Sequence, residues 1–186
     1  MTDNDFMTDL EPNASRLPCP GRIVGIDFGT VRIGLAISDV EQKISSPLDV
    51  YHRQPAARMA QYFRDLLAAE RVVGMVVGLP IHTSGQASEK SRQATSFAIW
   101  LRDATQVPVV LYDERFTTAL ARELLGQTNL SGKKRKERLD KIAAHVLLGA
   151  YLEAPDKALS IQSVSGGTGN STSLDDSNLP SEGRDG

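Results

Sequence analysis

The chain has a single cysteine, Cys19, so neither a disulfide framework nor a multi-cysteine metal site can form within it. It also lacks any apolar run near the ~20 residues of a membrane-spanning helix. Its acidic N-terminus carries neither the basic nor the apolar segment of a secretory signal, so the expected compartment is the cytoplasm, with no membrane partner. No internal repeat of useful length is present. Histidines are few: His52 and His82 read as surface loop residues rather than ligands. His145 follows Asp140 by five positions, about 140° around a helix, and should not share its face.

Large apolar side chains are scarce at both ends. Residues 1–20 carry three prolines, and residues 155–186 carry seven serines and five glycines. Such segments bury too little surface to offset the entropy of ordering them. The expectation is a disordered N-terminal tail (1–20), one domain (21–154) and a disordered Ser/Gly-rich C-terminal tail (155–186). The 134 central residues are ample for one layered α/β core. Each tail carries a net charge of −3 within a chain of −2, leaving the central domain at +4. A polyanionic partner is therefore permitted where the whole-chain pI of 5.9 argues against one.

Within the domain, Ile23–Phe28, Arg32–Ser38 and roughly Ile44–Tyr51 read as consecutive strands with short connections, hence an antiparallel meander. Pro55 opens a helix to about Glu70, with Met59, Tyr62, Phe63, Leu66 and Leu67 at helical spacing. Val72–Leu79 is continuously apolar, as a strand covered on both faces should be. A helix over Ala87–Ala104 and a buried strand over Val107–Tyr112 follow, with Trp100 and Tyr112 read as core. Thr117 is placed to cap a helix ending near Gly126, and a last helix runs from roughly Lys136 to Leu152. The order predicts an α/β fold: a mixed five-stranded sheet, three strands antiparallel and two parallel, flanked by helices.

Asp27 lies in the apolar run of the first strand, where an unpartnered carboxylate is costly. Either it caps a turn at the strand end or it is held out for a metal ion or phosphate. Gly25 and Gly29 beside it mark close approach of backbone or ligand. Glu114 directly follows the fifth strand, and Asp140 shares a helix face with Ala143, Ala144 and Leu147. Two alanines there would let the helix lie close to the sheet and carry the acid inward. Each acid also has a plain reading, Asp113 or Glu114 paired with Arg115 and Asp140 with Lys136 or Lys141. Asp39 and Asp113 are reserve ligand candidates, more in keeping with capping and turn roles.

A cluster of carboxylates is what a hard divalent ion requires. Two such ions about 4 Å apart can activate water for phosphodiester cleavage. The run Lys133-Lys134-Arg135-Lys136 precedes the final helix and overlaps its first turn, where the macrodipole disfavours cations. It is either a solvated loop or a lip that grips phosphates beside Asp140, extended by Arg32 and Arg115.

Four stretches in order resemble one family: Asp27-Phe28-Gly29-Thr30-Val31-Arg32-Ile33-Gly34 with Ser38-Asp39; Gly78-Leu79-Pro80; Asp113-Glu114-Arg115 with Thr117-Thr118; and Asp140 before Ala143-Ala144. Together they resemble the YqgF/RuvX family, described as Holliday-junction resolvases and as nucleases that mature the 5′ end of pre-16S ribosomal RNA. The resemblance implies a ribonuclease-H-like fold and Asp27, Glu114 and Asp140 as the catalytic, metal-binding triad. It further implies Mg²⁺ or Mn²⁺, two ions with substrate bound. The partners it implies are nucleic acid (precursor rRNA or branched DNA) and ribosomal precursor particles. Two departures stand out: Val31 replaces the family's usual Lys, and His82-Thr83-Ser84 replaces Asn-Met-Asp after the Gly-Leu-Pro stretch. A non-catalytic nucleic-acid-binding module is the competing class, disfavoured by retention of all three acids. An actin-type ATPase shares the Gly-Ile-Asp-x-Gly-Thr loop but needs a second domain for which the core has no room.

Overall fold

The computed structural model describes residues 16–80, 88–113 and 132–161, with side chains of the last segment from 138 onward. Three strands open the fold: β1 (Arg22–Phe28), β2 (Arg32–Ser38) and β3 (Ser45–His52). They pair antiparallel as expected, β1 with β2 and β2 with β3. Helix α1 (Ala56–Glu70) starts immediately after Pro55 and ends on Arg71, whose left-handed backbone closes the last turn. Strand β4 (Val72–Leu79) then pairs parallel with β1 through a crossover.

Helix α2 (Glu89–Thr105) opens with a reciprocal cap: Ser88 Oγ accepts from the Ser91 N–H, and the Ser88 N–H donates to Ser91 Oγ. Ser91 also donates its hydroxyl to the Pro80 carbonyl, tying this helix to the end of β4. Strand β5 (Val109–Asp113) runs parallel to β4, and helix α3 spans Gly132–Glu153. The helix expected from Thr117 to Gly126 lies outside the described residues.

Two expectations are corrected. The sheet has six strands among the described residues, in the order β3-β2-β1-β4-β5-β6, because Leu159–Ser160 adds a short antiparallel edge strand, β6, to β5. The domain also reaches beyond 21 and 154. Leu17 is buried over Gly74, and its N–H donates to Tyr151 Oη. A 3-10 turn at Pro155–Lys157 leads to β6, and Asp156 pairs with Arg16. Local composition at these positions is polar and proline-rich, so their packing was invisible to a compositional argument.

The two faces of the sheet are covered differently. Val24, Ile26, Ile33, Leu35, Val77 and Leu111 form one apolar cluster with Phe63 of α1 and Phe97 of α2. The alternate residues Ile23, Ala36, Val76, Val110 and Tyr112 pack on Ala144, Leu147, Leu148 and Tyr151 of α3. Tyr112 and the partly buried Trp100 are core residues, as expected.

Candidate active site

Strand β1 alternates: Val24 and Ile26 face α1 and α2, so Ile23, Gly25 and Asp27 face α3. Gly25 demonstrates the direction, because a Cβ there would meet Leu148 Cβ at 2.6 Å. Directly across the ladder, Asp27 is paired with Gly34 of β2. A Cβ on Gly34 would lie 2.1 Å from the Asp140 carbonyl oxygen and 3.3 Å from Asp140 Cα. The backbone of α3 thus rests on the strand at the residue opposite Asp27. Asp27 and Asp140 consequently project from neighbouring backbone positions onto one side of the sheet, both half-buried.

Arg32 shares that side, two residues before Gly34. Its Nε donates to Asp140 Oδ2 at 2.6 Å, with side-chain exposures of 20% and 24%. Asp140 was expected to pair with Lys136 or Lys141 if it paired at all. Lys141 instead lies 3.8 Å from Asp49 of β3.

The loop from Phe28 to Val31 is held from the other side. The Phe28 ring stacks on Phe97 at 4.6 Å between centroids, and the Arg53 guanidinium sits 5.1 Å above it. Arg53 donates Nη1–H to the Thr30 carbonyl and its own N–H to the Val31 carbonyl. Burial pulls the Arg53 pKa down, and its Nε finds no hydrogen-bond acceptor among the described residues. Gly29 behaves as the sequence suggested, since a Cβ would strike the Arg32 carbonyl at 2.4 Å. Val31 is 66% exposed.

The remaining candidates separate cleanly. Asp39 accepts from the Lys43 and Ile44 N–H groups, and these bonds hold its carboxyl below the ordinary range. It is a turn cap. Asp113 is buried and pairs in register with Leu79, on the α2 side of the sheet rather than the Asp27 side. His145 lies against β3, its Nδ1 2.9 Å from Ser45 Oγ, and His52 is exposed.

Glu114, Arg115 and His82 lie outside the described residues. Lys133, Lys134, Arg135 and Lys136 are helical in backbone, their side chains being outside the description. The expectation that this run precedes the helix is corrected: α3 starts at Gly132 and the run forms its first turns. Charge composition imitated a loop, whereas packing of the downstream face carries the helix back through it.

Among the described residues no group of three or more His, Cys, Asp or Glu side chains is close enough to hold a metal ion. The donor chemistry nevertheless fits a hard cation. Asp27 and Asp140 are oxygen donors on one side of the sheet, brought together by a glycine whose missing side chain allows the contact. The sequence reading missed this role of Gly34. The available signal was a glycine alternating with Ile33 and Leu35 in an apolar strand, at a position where a larger side chain would ordinarily sit.

Comparison with known proteins identifies the family and the fold. A relative from Rhodopirellula baltica is 47% identical over 137 residues, covering 74% of this chain and 79% of its own. One from Koribacter versatilis is 38% identical over 133 residues, covering 72% and 87%. Each bears the name "Putative pre-16S rRNA nuclease". The structure of T. thermophilus RuvC in complex with a Holliday junction substrate superposes with a TM-score of 0.50 at 18% identity, over 75% of this chain and 99% of that one. At that identity the likeness establishes the fold, ribonuclease-H-like as expected. The family model for RuvX, described as Holliday junction resolvase, matches residues 21–154, and this chain belongs to that family.

Proposed function

We propose that this protein is a metal-dependent endonuclease that hydrolyses phosphodiester bonds in structured nucleic acid, with the 5′ end of pre-16S rRNA as its substrate. The observation that carries the reading is the seating of α3 on Gly34, which sets Asp140 beside the strand position of Asp27. The relatives' names supply the rRNA precursor, and the family description supplies the four-way DNA junction as second substrate.

In this reading Asp27, Glu114 and Asp140 hold Mg²⁺ or Mn²⁺. Glu114 follows β5 directly in sequence. Bound divalent ions supply an activated water and neutralise charge on the leaving oxygen. The chain itself orients the scissile phosphate. Lys133, Lys134, Arg135 and Lys136 add positive charge to a helix start whose free N–H groups already favour anions. Arg32 and Arg115 extend that grip along the backbone. Work in the cytoplasm on ribosomal precursor particles accords with these roles. Among the described residues no helix is long and apolar enough to cross a membrane.

The test is cleavage of a labelled, 5′-extended small-subunit rRNA and of a labelled four-way DNA junction in Mg²⁺, Mn²⁺ or chelator. Asp27→Asn should lower cleavage by on the order of 1,000-fold or more, the scale of losing metal-assisted charge stabilisation. Faster cutting of the rRNA identifies it as substrate, and faster cutting of the junction transfers the reading to DNA. Equal binding by wild type and variant with no cleavage of either would leave a binding module.

A further inference from the structure

We propose that Arg32 is a resident cation of the acidic site, held on Asp140 Oδ2 and displaced from it when a divalent ion takes that oxygen. The inference rests on the metal-binding role proposed above for Asp140. The Nε–Oδ2 distance of 2.6 Å is that of a short charge-assisted hydrogen bond. Both side chains are largely removed from solvent, so the pair is screened less than a surface one. The two residues stand 108 positions apart, and the contact of Gly34 with the Asp140 backbone fixes their relative starting points.

The exchange has to be a movement rather than a titration, because a guanidinium keeps its proton in proteins. A divalent ion bound through Oδ2, at the ~2.1 Å typical of Mg²⁺, would compete for the lone pairs that Arg32 uses. It would also sit beside a positive charge. Swung away, Arg32 offers a planar donor fork matched to a phosphate. The same side chain thus positions Asp140 while paired and grips substrate once released, which couples cation binding to polyanion binding.

The experiment uses the full chain. Mn²⁺ binding without nucleic acid is followed by electron paramagnetic resonance of the free ion for wild type, Arg32→Gln and Asp140→Asn. Thermal unfolding checks that each variant folds. Arg32→Gln removes a like charge next to the ion and should bind Mn²⁺ on the order of tenfold more tightly than wild type. Equal or weaker binding overturns the proposal. Should Arg32→Gln not fold, Arg32→Met serves: it removes the charge while keeping the length of the side chain, and affinity no tighter than wild type overturns the proposal equally.

A second readout is fluorescence anisotropy of a labelled, cleavage-resistant four-way junction, in chelator and in Mn²⁺. Arg32→Gln should lose more affinity in Mn²⁺, where Arg32 is released, than in chelator, where Asp140 holds it. A loss as large in chelator as in Mn²⁺ would mean that Arg32 reaches nucleic acid without displacement, against the proposal. Asp140→Asn separates the two levels. Unchanged Mn²⁺ affinity in that variant removes the metal role of Asp140 and the displacement with it. A loss there without a gain in Arg32→Gln removes the displacement alone.

Discussion

The two faces of this sheet are built on opposite principles. Under α1 and α2 the space is filled with large side chains: Phe63 is fully buried, Phe97 nearly so, and Phe28 and Trp100 stack on Phe97 in turn. Under α3 the fit depends on side chains that are missing. Gly25 admits Leu148, Gly34 admits the backbone of Asp140, and Ala36 and Ala144 are the small residues between. The first face supplies apolar burial, for which shape is negotiable within limits. The second brings two backbones together, and it is the face that carries Asp27, Arg32 and Asp140. Charge can be placed accurately there because a backbone-to-backbone contact has no rotamers through which to yield.

Substitutions on each side should break the comparison in different ways. Phe63→Ala empties the centre of the aromatic face and should cost about 4 kcal/mol of folding stability, the range for buried aromatic truncations. Denaturant unfolding reads that loss, and the molecules that remain folded should cut substrate at the wild-type rate. Gly34→Ala should cost less, about 3 kcal/mol, because α3 can shift by a fraction of its contact with β2. Its activity loss should far exceed what the unfolded fraction explains, since the shift moves Asp140. If Gly34→Ala keeps full cleavage per folded molecule, the backbone seat does not set the site.

Tyr112→Phe is the smallest of the three. Tyr112 donates its hydroxyl to the Ala150 carbonyl of α3 at 2.9 Å, and losing that bond should cost about 1 kcal/mol. Cleavage should be unchanged, because this anchor lies ten residues along α3 from Asp140. A loss of activity comparable with that of Gly34→Ala would mean that the whole length of α3, and not the Gly34 contact, positions the acid.

How legible the chain was depended on what each segment presents locally. Arg32–Ser38 and Val72–Leu79 were read to the residue, because strand period and continuous burial are written in consecutive side chains. The start of α3 was read four residues late, since Lys133–Lys136 offers no apolar period. Leu159–Ser160 and Leu17 escaped notice because their burial comes from β5, Gly74 and Tyr151, all remote in sequence. In the site, Asp27 and Asp140 were legible as acids on inward-facing positions. Their meeting point was not, because Gly34 has no side chain to announce its role.

Two things were therefore determined by the sequence alone: the order and type of most elements, and the helix face that Asp140 shares with Ala144 and Leu147. Both follow from periods of two and 3.6 residues that any short window displays. Only the tertiary structure decided that α3 touches β2 at Gly34 and that Arg32, rather than a neighbouring lysine, holds Asp140. Those contacts join residues more than 100 positions apart, and no local period encodes which face of a helix will rest on which residue of a strand.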